Sequence, residues 1–131
     1  MSKKLIIAAT SARVYAQAAA ACGYQVIALD AFADADVQSV SLQTFKVKMH
    51  ELGVDEADFK RIFSEINLDG VEGFLYGSLF DNAPDLLAWV AARVVLIGNK
   101  PEAMQAAKSF NFFDLLDKLE IQHPEVRLNE V

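Results

Sequence analysis

Hydrophobic positions along this chain change period several times, and the changes mark out a series of elements. Leu5 to Ala9 is a short unbroken apolar run, the pattern of a strand covered on both faces. Ala12 to Cys22 is rich in the best helix former, and Thr10 and Ser11 just before it are residue types that cap helix starts. Gly23 predicts the end of that helix, because glycine accepts the left-handed conformation that a helix exit requires. Tyr24 to Leu29, β-branched at Val26 and Ile27, predicts a second strand that ends on Asp30. Strand, helix and strand with short links form a right-handed βαβ unit with parallel strands.

Beyond Asp30 the alternation weakens. AFADADVQSVSL carries acidic and small residues, and a third strand is expected near Val37 to Leu42. Gln43 to Gly53 fits strand, helix or ordered loop equally. Asp55 to Asn67 predicts a helix, with Phe59, Ile62, Phe63 and Ile66 at helical spacing and Asp55 as its cap. Gly73 to Gly77 (GFLYG) predicts a strand, SLFDNAP a loop, and Pro84 the first turn of a helix through Ala92. Val94 to Gly98 gives the last strand, and helical stretches follow over Pro101 to Lys108 and Asn111 to Leu119. The sum is an α/β fold, Rossmann-like, with an open, mainly parallel sheet of about five strands and helices on both faces.

Composition narrows the classes. Hydrophobic residues at 53% and charged residues at 23% are an ordinary globular balance. A net charge of −6 with scattered basic residues argues against nucleic acid and anionic membranes as partners. No apolar run reaches the ~20 residues that span a bilayer, and the run after MSKK is too short for a signal peptide. Cys22 is alone, so no disulfide framework exists and a cytoplasmic location is expected. Its place before Gly23 fits helix packing better than a nucleophile. His50 and His123 belong to no ligand-spaced cluster, so no metal site is expected, and His123 beside Pro124 is expected to be structural.

In such a sheet, ligands bind beyond the carboxyl ends of the strands. Three loops qualify. Thr10, Ser11 and Arg13 follow the first strand, where free N–H groups and a guanidinium suit an anion. Asp30 follows the second, at the distance where Rossmann domains set an acid against a ribose hydroxyl. Gly77 and Ser78, with Asp81 and Asn82, follow the GFLYG strand. Bland alternatives stand beside each: Thr10 or Ser11 as a helix cap, Arg13 as an exposed helix residue, Asp30 as the close of a turn. Neither GxGxxG nor GxxxxGK[ST] occurs, which disfavours a dinucleotide site and excludes a Walker loop. No nucleophile with a base and an orienting acid is present, so no catalytic residue is assigned.

Three passages together carry a resemblance. LIIAATSARVYAQAAAACGYQVIALDAFADAD, GFLYGSLFDNAPDLLAWVA and, most specific, LIGNKPEAMQAAKSFNFFDLLDKLEIQHPE over Leu96 to Glu125 resemble the N-terminal (pre-ATP-grasp) domain of an ATP-grasp carboxylate–amine ligase. The last passage is similar to xIGN…K…FxxxLxxxGIPxPE, which leads into the ATP-grasp fold. The sequence departs from it at Glu120, where glycine is usual, and around Lys108, which reads AKSFN.

The resemblance implies residues 1–98 as the Rossmann-like domain and 99–131 as a helical lead-in to an ATP-grasp domain outside these residues. The implied reaction makes an acyl phosphate from ATP and a carboxylate, then joins it to an amine. ATP and Mg2+ would be held mostly by the downstream domain, leaving this chain inactive alone, with Lys108 either the one residue near ATP phosphates or an exposed helix lysine. Thr10, Ser11, Arg13, Asp30, Gly77 and Ser78 would face a small-molecule substrate. The SAR loop and the YGS-F segment look closest to ligases linked with one-carbon metabolism in methylotrophs, a group associated with tetrahydromethanopterin-type cofactors. Alternatives are a free-standing flavodoxin-like binding module and an interaction domain. A two-component receiver is disfavoured, since the first strand ends in Ala8-Ala9-Thr10 rather than in acids. Phe110, Phe112, Phe113, Leu115, Leu116 and Leu119 make an apolar tail that suits a homodimer contact.

Overall fold

A computed structural model describes residues 2–109 and 111–127. Its first strand, β1 (Lys4–Ala9), leads into helix α1 (Arg13–Ala21) and strand β2 (Gln25–Asp30). Gly23 sits at φ 89° and ends α1 as expected: Tyr24 N–H reaches the Ala19 carbonyl and Gly23 N–H that of Ala20.

The chain then departs from its local pattern. Residues 35–40 form a helix, α2 (Ala35–Val40), where β-branched Val37 and Val40 suggested a strand. Asp34 decides the matter. Its carboxylate accepts the Val37 N–H at 3.1 Å, and Asp36 adds negative charge in the first turn. The third strand of the sheet, β3 (Gln43–Lys46), falls instead in the segment whose pattern is ambiguous. A small antiparallel pair follows, β4 (Met49–His50) with β5 (Gly53–Val54). Helix α3 (Glu56–Ser64) is capped by Asp55, which accepts the Asp58 N–H at 3.0 Å. Next come strand β6 (Val71–Tyr76), a single 3-10 turn over Ser78–Phe80, and helix α4 (Pro84–Ala91). The last strand, β7 (Leu96–Ile97), is shorter than the VVLIG run, although Phe74 N–H also reaches the Val95 carbonyl. Helices α5 (Pro101–Lys108) and α6 (Phe112–Lys118) complete the order.

The sheet runs β3-β2-β1-β6-β7, and every neighbouring pair is parallel. Alternate side chains of β1 and β2 divide between two cores. Leu5, Ile7, Ala9, Val26 and Ala28 face α1 and α2, where Ala12, Ala16 and Val37 let the helices lie close. Ile6, Ala8, Ile27 and Leu29 face α3, the 3-10 turn and α4. Phe59, Phe74 and Phe80 fill that second core edge to face, with centroids 5.4 to 6.4 Å apart. Both faces are covered, which explains the unbroken apolar runs. Among the described residues no helix is long and apolar enough to cross a membrane.

Candidate functional site

The strand order fixes where a ligand would enter. From β1 the chain steps outward to β2 and β3, then returns to the other side of β1 as β6 and β7. The crevice at a doubly wound sheet's carboxyl edge opens where the order reverses, here between β1 and β6. Ala8 pairs with Tyr76, and Gly77 N–H continues the ladder to the Ala8 carbonyl at 2.9 Å. The loops carrying Thr10, Ser11 and Arg13 on one side, and Gly77 and Ser78 on the other, therefore leave the sheet side by side.

Gly77 is set by close approach rather than by a special φ. A Cβ there would stand 2.9 Å from the Ala9 Cβ and 3.2 Å from the Tyr15 ring. Tyr15 thus roofs the exit of β6 and is itself 43% exposed. Its only sequence signal is an aromatic residue in an alanine-rich helix two positions after Arg13, which was not enough to mark it as part of the site. Ser78 is exposed and opens the 3-10 turn, whose Leu79 and Phe80 are buried.

Asp30 faces inward and is only 1% exposed. One carboxylate oxygen accepts the Ala12 N–H at 2.6 Å; the other accepts those of Phe32 at 2.7 Å and Ala33 at 2.9 Å. The start of α1 differs accordingly from expectation: Ala12 is the capping position, and neither Thr10 nor Ser11 caps the helix. A buried acid from the neighbouring strand takes over part of that work. The first turn of α1 has no acidic residue. Arg13 lies on the surface, with Nη1 3.4 Å from an Asp36 carboxylate oxygen, a solvent-exposed pair of small energetic weight.

Lys108 reaches the far end of the loop that follows β6. Its ammonium donates to the Asp81 carbonyl, tying α5 to the loop before α4. The Tyr76 hydroxyl makes a similar tie to the Asn99 carbonyl, and burial raises the Tyr76 pKa above its ordinary value. Among the described residues no three His, Cys, Asp or Glu side chains gather as a metal site requires.

A concavity of about 670 Å3 lies on the α3 and α4 side of the sheet. The β4–β5 turn, Glu56 at the start of α3, and Leu79, Asn82 and Asp85 line it. Asn82 donates to the Leu52 carbonyl at 3.0 Å and closes one wall. None of Thr10, Ser11, Arg13, Asp30, Gly77 and Ser78 lines it. Three of its ten lining residues, His50, Leu52 and Gly53, come from the segment whose pattern is ambiguous, and five come from Leu79 to Asp85.

The architecture defines a class, a Rossmann-like doubly wound domain with its switch point between β1 and β6. Solved structures share it. Rhizobium etli pyruvate carboxylase matches 98% of this chain with TM-score 0.66 at 19% identity. N5-carboxyaminoimidazole ribonucleotide synthetase from Thermotoga maritima matches 94%, with TM-score 0.64 at 16% identity. The ADP complex of the Staphylococcus aureus N5-carboxyaminoimidazole synthetase matches 82%, with TM-score 0.57 at 18% identity. The chain spans 14%, 32% and 27% of those proteins respectively. At such identities the likeness establishes the fold. No protein-family model matches the sequence, and no curated protein sequence matches it.

Proposed function

We propose that this chain is the substrate-facing N-terminal domain of an ATP-grasp ligase that joins a carboxylate to an amine through an acyl phosphate. The observation that carries the reading is the coincidence of the β1/β6 switch point with the two loops whose sequences resemble that domain. The shared fold with carboxylases and synthetases, one of them an ADP complex, supports it. ATP and Mg2+ belong to the complete enzyme, bound largely outside these residues, and Lys108 serves the lead-in helix where it meets the nucleotide. A role in one-carbon metabolism is the finer form of this proposal, resting on the SAR and YGS-F segments alone, and a cytoplasmic location rests on the lone Cys22.

Within this domain Ser11, Arg13 and Ser78 contact a small-molecule substrate at the mouth of the crevice. Thr10, Asp30 and Gly77 shape it: Asp30 holds the α1 start, and Gly77 leaves room beneath Tyr15. Arg13 contributes a cation to an acidic surface and attracts the carboxylate or its phosphorylated form. The test is Arg13→Ala in the full-length ligase, with an expected rise in KM of about tenfold. An unchanged KM removes Arg13 from the site.

A second reading is favoured by the 670 Å3 concavity: a free-standing small-molecule binding module. It predicts a ligand-dependent melting shift from the 131-residue chain by itself. The apolar tail supports a homodimer contact in either case. Leu115, Leu119 and Ile121 are 47%, 59% and 49% exposed, while Phe110 lies outside the described residues.

A further inference from the structure

The chain leaving α6 doubles back on that helix. Glu120 takes φ 56°, its N–H donates to the Asp117 carbonyl at 3.1 Å, and the Ile121 N–H reaches the Leu116 carbonyl at 2.9 Å. This paired closure reverses the backbone. His123 is carried back beside Phe113, ring centroids 5.1 Å apart, and onto Asp117.

Both ring nitrogens of His123 are engaged. Nε2 lies 2.8 Å from an Asp117 carboxylate oxygen, and Nδ1 lies 2.8 Å from the Pro124 carbonyl oxygen. An ionised carboxylate and a carbonyl only accept. A neutral imidazole has one N–H, so one of these contacts would set lone pair against lone pair. The imidazolium alone donates to both.

We propose that His123 is a proton-operated clasp, holding residues 121–125 back along α6 while charged and releasing them when neutral. The direction in which the chain leaves the domain then depends on its protonation. The charged groups that face His123 agree in sign: Asp117 and Glu120 border the same depression, together with Ile121 and Gln122. Asp114 and Lys118 border a different depression, and Glu125 is paired with Arg127 at 2.9 Å. The Pro124 carbonyl, and then the Asp117 carboxylate, raise the His123 pKa above its ordinary 6.5. A raised value means that the clasp is complete below 6.5 and is lost as pH rises through the raised value.

The inference is independent of the ligase reading, because it needs only this chain. Nuclear magnetic resonance on the 131-residue protein tests it, following the His123 ring signals and the Phe113–His123 ring-to-ring contact from pH 5 to 9. The expected result is titration above 6.5, with the ring contact disappearing over the same interval. Asp117→Asn keeps the fold, since Asp117 is exposed, and is expected to lower the His123 pKa and weaken the contact at pH 6. A ring contact that persists unchanged through the titration overturns the proposal, as does a His123 that titrates at or below 6.5 in the parent protein.

Discussion

The carboxylate of Asp30, at the end of β2, accepts the backbone N–H of Ala12 at 2.6 Å and so ties the start of α1 to the neighbouring strand. The same side chain gathers the N–H groups of Phe32 and Ala33. Asp30→Ala leaves the buried Ala12 N–H and the part-buried N–H groups of Phe32 and Ala33 short of a partner. The expected loss is about 3 kcal/mol, with Asp30→Asn losing about half of that. Urea unfolding measures both, and a loss below ~0.5 kcal/mol for Asp30→Ala contradicts the assignment.

Gly77 and Tyr15 make a second coupled pair at the crevice. Adding a Cβ at Gly77 strikes the Ala9 Cβ, fixed to the backbone of β1, as well as the movable Tyr15 ring. Gly77→Ala is expected to cost about 1–3 kcal/mol. Tyr15→Ala in the same chain relieves only the softer clash, so the double variant recovers a part of the loss. Full recovery in a double-mutant cycle shows that the Ala9 contact is harmless.

Asp58 gives the fold a pH dependence of known sign. Its carboxylate accepts the Lys48 backbone N–H at 3.0 Å and pairs with Arg61 at 2.8 Å, fastening the β3–β4 connection to α3. The Lys48 hydrogen bond, followed by Arg61, lowers the Asp58 pKa below its ordinary 3.8. The contribution is complete above that ordinary value and is lost as pH falls through the lowered one. Asp58→Asn is therefore expected to be less stable than the parent at pH 6, with the gap narrowing as pH falls toward 2. A gap that stays constant across that range, followed by denaturant melts, rules the linkage out.

Local pattern foretold the elements whose evidence is local. The apolar run of β1, the glycine stop of α1, the Asp55 cap of α3 and the Pro101–Lys108 bounds of α5 all stand as expected. Where a single polar contact decides, hydrophobic pattern misled. Asp34 turned Val37 and Val40 into a helix, and Asp30 displaced Thr10 and Ser11 as caps, through a bond spanning 18 residues. β3 was illegible because it is a half-covered edge strand, exposed at both ends and set by pairing with β2 rather than by its own apolar run. The site loops were nameable from strand ends. That the β1 and β6 exits adjoin, with Tyr15 over them, follows from strand order and packing, which periodicity does not encode.

Glu120 shows a sequence departure acquiring a physical meaning. The tail resembles a pattern with glycine at this position, and the structure places Glu120 at φ 56°, a conformation costly for a residue with a Cβ. Glu120→Gly is expected to steady the α6 exit by about 1 kcal/mol, visible as slower amide exchange at Glu120 and Ile121. Faster exchange in the variant shows that the glutamate side chain contributes more than its backbone costs.

The central claim, a ligase front domain without its own nucleotide site, is tested most directly by calorimetric titration of Mg–ATP. The native polypeptide, isolated from its source cells, is compared with the 131-residue chain. The account predicts binding by a native polypeptide longer than 131 residues and none by the shorter chain. Mg–ATP binding by the 131-residue chain alone, or a native polypeptide that binds none, contradicts it.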